Sequence, residues 1–88
     1  MSKKSKLLSK LCGRPAPRDF KVDELHSLMK QCGCVIIQGG RGSAIKFVHT
    51  VSKRVLIFDE PHPGNELYPW QIGAVKDFLI SIGEIKNE

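Results

Sequence analysis

The sequence predicts an α+β fold, a two-layer sandwich in which two helices cover one face of a three-stranded antiparallel sheet. Two segments with apolar side chains at helical spacing enclose three short stretches that are rich in β-branched residues. Short connections separate these stretches, and antiparallel strands need only short turns, whereas parallel strands need long crossovers. We therefore expect the order helix, strand, strand, strand, helix.

The two helices are predicted from apolar stripes that end at glycines. The first begins at Val22 and stops at Gly33; the second begins at Trp70 and stops before Gly83. The pattern predicts that Trp70 packs in the core and that Tyr68 covers the preceding loop.

Three strands are predicted within residues 34–38, 43–50 and 53–60. In the second, Ile45 and Phe47 alternate with Lys46 and Val48, so that the two pairs point to opposite faces of the sheet. One face is expected to pack against the helices, which leaves the other face able to meet a ligand.

The chain of 88 residues is long enough for one small domain. It has no apolar run that could span a membrane, and its N-terminal segment has too short an apolar core for a secretory signal, so we expect a cytoplasmic protein. Three cysteines, an odd number, argue against a disulfide framework. Cys32 and Cys34 with His26 lack the usual zinc-ligand spacing, and we expect no metal site.

The net charge of +5 is concentrated at the N-terminus. Residues 1–21 contain seven basic groups and one acid, a balance of +6, whereas residues 22–88 contain seven basic groups and eight acids. We therefore divide the chain into a basic N-terminal arm, residues 1–21, and a folded domain, residues 22–88. Leu7, Leu8 and Leu11 predict a short helical turn in the arm, but the sequence leaves open whether the arm folds on the domain.

A candidate phosphate-binding region surrounds the start of the second strand. Glycines at 39, 40 and 42 let the backbone approach a phosphate closely, and Ser43 offers a hydroxyl. No acid occurs among residues 39–58, which contain four basic side chains, namely Arg41, Lys46, Lys53 and Arg54. A hairpin turn and a solvated sheet edge explain the same residues without RNA.

The order of elements, the motif GRGSAIKF and the motif PHPGNEL together resemble the HicA family of toxin-antitoxin ribonucleases, over residues 22–83. The resemblance implies a fold similar to a double-stranded RNA-binding domain. It also implies metal-independent cleavage of mRNA, without a cofactor, and neutralisation by a HicB-type antitoxin protein.

The same resemblance implies a catalytic histidine directly after Gly42 and Ser43, where this sequence has Ala44. A methyl group cannot exchange the protons that RNA cleavage requires. Two explanations stay open: Ala44 replaces a natural histidine, or the chain belongs to a branch that lacks it.

His62, between Pro61 and Pro63, is the candidate substitute for the missing proton carrier. A stiffening role in the loop would explain it equally well, and His26 and His49 are expected at the surface. The alternatives to a ribonuclease are a non-catalytic RNA-binding module and a domain that only binds an antitoxin-like partner.

Overall fold

The structure contains the two predicted helices and the predicted sheet, in the predicted order, and one further helix before them. The computed structural model describes residues 3–13, 17–38, 44–61 and 64–85. Its elements are α1 (Lys3–Leu11), α2 (Val22–Gln31), β1 (Cys34–Gln38), β2 (Ala44–His49), β3 (Val55–Asp59) and α3 (Pro69–Ser81). From α2 onward, the order confirms the predicted α-β-β-β-α fold.

The sheet has β2 at its centre, with β1 and β3 antiparallel to it on either side. Ile45 and Phe47 of β2 are fully buried against the helices, as the alternation predicts. The opposite face of the sheet, which we call the open face, carries every second residue of each strand. In register, its rows are Val35, Val48 and Val55, then Ile37, Lys46 and Ile57, then Ala44 and Asp59.

The buried face is built from edge-on aromatic contacts. Phe47 lies between His26 and Phe58, with ring centroids 6.0 Å away on each side, and Phe58 meets Trp70 at 6.1 Å. Trp70 is nevertheless 60% exposed, so the prediction that it packs as core was wrong. The inner side of α3 is filled instead by Ile72, Val75, Phe78 and Leu79.

Two histidines also differ from their predicted surface positions. His49 is only 8% exposed, because it ends β2 on the buried side of the sheet. His26 is half-buried, since its ring packs on Phe47, and its buried Nε2 has no hydrogen-bond partner among the described residues. Both rings are therefore parts of the packed interior.

The N-terminal helix folds onto the domain, which settles the question that the sequence leaves open. Leu7 and Leu11 of α1 lie in the same buried cluster as the inner residues of α2. Lys10 donates to both carboxylate oxygens of Glu24 at 2.9 Å. The hydrogen bond to Glu24 raises the pKa of Lys10, and although burial alone would raise that of Glu24, the contact with Lys10 lowers it overall.

The segment between α1 and α2 holds the loop that precedes α3. Val22 N–H donates to the Asn65 carbonyl, and Leu67 N–H donates to the Phe20 carbonyl, each at 2.8 Å. Phe20 is fully buried. This short antiparallel pairing fixes residues 65–67 against the start of α2.

Candidate functional site

Ala44 is the first residue of β2 and lies on the open face of the sheet. Its side chain is half-buried, and its partner across to β3 is Asp59. Directly paired residues on antiparallel strands point to the same face, with Cβ atoms about 4.5–5.5 Å apart. A longer side chain at position 44 would therefore lie beside the Asp59 carboxylate.

Asp59 joins β3 to the start of α3. Its backbone carbonyl accepts a hydrogen bond of 2.7 Å from Nε2 of Gln71, whose side chain is almost fully buried. Oε1 of the same amide accepts the N–H of Tyr68 at 2.9 Å. Among the described residues, none forms a hydrogen bond or an ion pair with the exposed Asp59 carboxylate. The backbone of Asp59 is thus fixed while its charge stays available.

Lys46 lies two residues after Ala44 on the same face, so it is the basic side chain that β2 itself places close to position 44. Its partners in register are Ile37 on β1 and Ile57 on β3. These isoleucines are 47% and 59% exposed, and Val35 and Val55 are 50% and 44% exposed. Over the described strands, the open face is therefore an aliphatic surface around Lys46, rather than the basic surface that the sequence suggests.

Lys53 and Arg54 lie at the other end of β2, in the turn that leads to β3. The five residue steps from Ala44 to His49 span about 17 Å at the usual rise of a strand. There, His49 N–H donates to the Arg54 carbonyl at 2.9 Å, and Lys53 N–H donates to the His49 carbonyl at 2.8 Å. The structure thus separates the basic residues that the sequence groups together.

Several predicted site residues lie outside the described part of the chain. They are Arg41, Gly42 and Ser43, with Gly39 and Gly40, and also His62. Their described neighbours are Gln38, Ala44 and Pro61, all at one end of the sheet. Nε2 of Gln38, which ends β1, donates to Glu60 just beyond β3 at 3.0 Å. The described residues that flank these two segments therefore lie at the end of the sheet that contains Ala44.

Sequence reasoning missed two residues at this end. Asp59 has no spacing signal, because only the strand register brings it opposite Ala44. The helical stripe predicts Trp70 in the core, although Pro69 immediately before it marks the first turn of a helix, where a side chain can extend past the packed layers. That proline was the available signal.

Among the described residues, the structure indicates neither a metal site nor a reactive thiol at Cys32 or Cys34. The described residues contain no group of three or more histidine, cysteine or acidic side chains that could hold a metal ion. Burial raises the pKa of the Cys32 thiol to about 11, and it also raises that of Cys34. Neither thiol is suited to act as a nucleophile near neutral pH.

None of the helices in the described part of the chain combines the length and apolar character needed to cross a membrane.

Comparison with known proteins gave one finding. The family model described as the HicA toxin of bacterial toxin-antitoxin systems matches residues 22–82, which is most of the chain and includes both ends of the sheet. No curated protein and no solved structure matched. The matched range begins at the first residue of α2, so α1 lies outside it.

Proposed function

Because the chain belongs to the HicA family of bacterial toxins from toxin-antitoxin systems, we propose that its target is mRNA and that its site is the end of the sheet where Ala44 and Asp59 are paired. We call this region the Ala44 end. The family resemblance supplies the reaction, a metal-independent cleavage of mRNA in the cytoplasm without a cofactor. The observation that carries the proposal is the register, which sets position 44 beside a carboxylate on an accessible face.

Cleavage of RNA by its own 2′-hydroxyl needs one group that removes the hydroxyl proton and another that protonates the leaving oxygen. Histidine suits these tasks because it changes charge near neutral pH. An imidazole at position 44 would lie beside Asp59, which would orient the ring and stabilise its protonated form. With Ala44 this proton carrier is missing, and the chain is expected to bind RNA with weak or no cleavage.

Binding is expected to use the positive charge near the Ala44 end. Lys46 lies on the open face beside the site, and Arg41, Gly42 and Ser43 precede Ala44 directly in sequence. Lys and Arg side chains and backbone N–H groups are common ligands of RNA phosphates. Lys53 and Arg54, one strand length away, are expected to add weaker, long-range attraction to the RNA backbone.

The aliphatic part of the open face favours a second role for the same surface, which is contact with the antitoxin. Val35, Ile37, Val55 and Ile57 are each at least 44% exposed, and contiguous exposed apolar side chains are typical of protein interfaces. A HicB-type antitoxin that docks here would cover Ala44 and Asp59. Neutralisation would then follow from blocking RNA access.

The test is cleavage of a fluorescently labelled mRNA, in the presence of a metal chelator, by four proteins: the unaltered chain, Ala44→His, His62→Ala and the double variant. We expect Ala44→His to raise the cleavage rate by about 100- to 10,000-fold, the usual contribution of a positioned acid or base. Ala44→Gln is the matched control, since it adds a polar side chain that does not titrate near pH 7.

If the unaltered chain cuts and His62→Ala abolishes this activity, the chemistry lies in the loop rather than at position 44. If none of the proteins cuts but the RNA still binds, the chain is a non-catalytic RNA-binding module. If only an antitoxin-like protein binds, with an affinity that added RNA does not change, the chain is an interaction domain.

A further inference from the structure

Trp70 is a large aromatic side chain that the fold fixes in place but leaves in solvent. It is the second residue of α3 and 60% exposed, and Tyr68 two residues earlier is 41% exposed. Tryptophan combines a large apolar surface with a polar N–H, and for this reason it is enriched where proteins contact their ligands and partners.

The indole is held in place by a contact with another ring and by the fixed backbone at the start of α3. The indole and the Phe58 ring form a T-shaped contact at an interplanar angle of 80°, and Phe58 forms a second T-shaped contact with buried Phe47. The helix start is fixed by Pro69 and by the buried Gln71, which bonds to both Asp59 and Tyr68. A side chain fixed in this way loses little conformational entropy when a ligand stacks on it.

The position of Trp70 relates it to the Ala44 end and not to the opposite end of β2, where residues 50–54 form the turn to β3 that we call the far turn. Gln71, the next residue, donates to the carbonyl of Asp59, which pairs with Ala44. Trp70 is also separate from the aliphatic open face. Its contact Phe58 points toward the helices, whereas Val55 and Ile57 point away from them. The flat indole can stack on a planar ligand without extending the aliphatic surface of the open face.

We propose that Trp70 stacks on an unpaired base of the RNA that binds at the Ala44 end, so that the preferred ligand is single-stranded rather than duplex RNA. This inference rests on the proposed function. Proteins that bind single-stranded RNA combine cationic groups for the backbone with aromatic rings for the bases. Here Lys46 provides the cation on the open face. The bound RNA strand would pass around the edge of the sheet at β3 to reach the indole.

The chain contains one tryptophan, so its intrinsic fluorescence reports this contact directly. Titration with a 12-nucleotide uridine or adenosine oligomer is expected to quench the emission, while a 12-base-pair duplex of mixed sequence leaves it nearly unchanged. In a separate titration with labelled oligomers, Trp70→Leu should weaken binding of single strands by about 5- to 100-fold, and Trp70→Phe, which keeps a ring, by less than about 5-fold.

Val51→Ala is the matched control, because Val51 is an exposed apolar residue at the far turn, 84% accessible to solvent, and its loss should leave affinity unchanged. Circular dichroism melting curves check that each variant folds. Single-strand binding with unaltered emission and normal affinity in Trp70→Leu would overturn the inference while leaving the proposed function intact. Absence of binding to any RNA would overturn both.

Two further results would also contradict the inference. Tighter binding of the duplex than of the oligomers would show that unpaired bases are not the ligand. Loss of antitoxin binding in Trp70→Leu, with normal RNA affinity, would assign the ring to the protein partner instead.

Discussion

The two ends of β2 use their polar side chains in opposite ways. At the far turn, Nδ1 of the buried His49 accepts the N–H of Ser52 at 3.2 Å, and the Ser52 hydroxyl accepts the N–H of Arg54 at 3.2 Å. At the Ala44 end, the Asp59 carboxylate and the Lys46 ammonium stay exposed, without an ion pair to any described residue. The His49 and Ser52 side chains therefore hold the far turn together, whereas the Asp59 carboxylate and the Lys46 ammonium make no such contact with the described residues.

The difference shows why a histidine's position matters more than its presence. His49 ends the strand that Ala44 begins, but it points into the interior, and its ring holds a turn together. A ring at position 44 would point to the open face, beside a carboxylate. The same side chain would be structural at one end and chemical at the other.

The sharpest way to break this comparison is to move the histidine along the open face. Val48→His keeps the strand and the face but places the ring opposite Val55 instead of Asp59. We expect no gain in cleavage from Val48→His, against the large gain from Ala44→His. Adding Asp59→Asn to Ala44→His should reduce the rate by at least about 10-fold, since the imidazolium loses its carboxylate. Equal rates for Val48→His and Ala44→His would contradict the account.

The far turn is tested by His49→Ala. Removal of this buried ring leaves the Ser52 N–H without its acceptor and creates a cavity, so the free energy of unfolding should fall by about 1–3 kcal/mol in urea titration. RNA affinity of the folded protein should not change. Gln31→Ala, at an exposed position of α2, is the control and should shift stability by less than about 0.5 kcal/mol.

Cys34 lies directly opposite His49 in the sheet, so the reactivity of its thiol also reports on the removal of the His49 ring. In the unaltered protein, burial and the raised pKa of Cys34 should make its reaction with a disulfide reagent at pH 8 far slower than that of exposed Cys12. His49→Ala should accelerate the reaction at Cys34. An unchanged rate together with unchanged stability would show that the ring has no structural role.

The smallest expected effect concerns the support that α1 gives to the start of α2. The pKa of Glu24 is lowered by Lys10, so this pair stabilises the fold above the unfolded-state pKa near 4.5, and that contribution is lost as pH falls through the lower folded-state value. Glu24→Gln should therefore lower stability by at most about 1 kcal/mol at pH 7, and by less as pH falls from 5 toward 2. Thermal melting of both proteins across this range measures it; a difference that grows in acid would contradict the assignment.

The sequence predicted the fold well because the signals are local. The apolar stripe from Val22 to Gly33 and the alternation around Phe47 each appear within twelve residues. The site was harder to predict because its partners come together only through register and packing. Nothing near Asp59 in sequence indicates that it pairs with Ala44.

The exposure of Trp70 and the burial of His49 were missed for a related reason. Each residue lies at one end of a helix or strand. There the periodic sequence pattern shows which way a side chain points, but it does not show whether another element covers that side chain. Pro69 and the turn at Lys53, whose φ of 65° is in the left-handed region, mark those ends. Such markers fix where an element stops, but only the packed structure shows what remains in solvent.

The most direct measurement of where RNA binds is a two-dimensional amide NMR titration of the chain with a 12-nucleotide uridine oligomer. We expect the largest shifts at Ala44, Lys46, Asp59 and the indole N–H of Trp70, and small shifts at Ser52, Lys53 and Arg54. Lys46→Gln should weaken the same binding by about 10-fold and Lys53→Gln by less than about 3-fold. Shifts concentrated at the far turn, with the two lysine effects reversed, would contradict the assignment of the site to the Ala44 end.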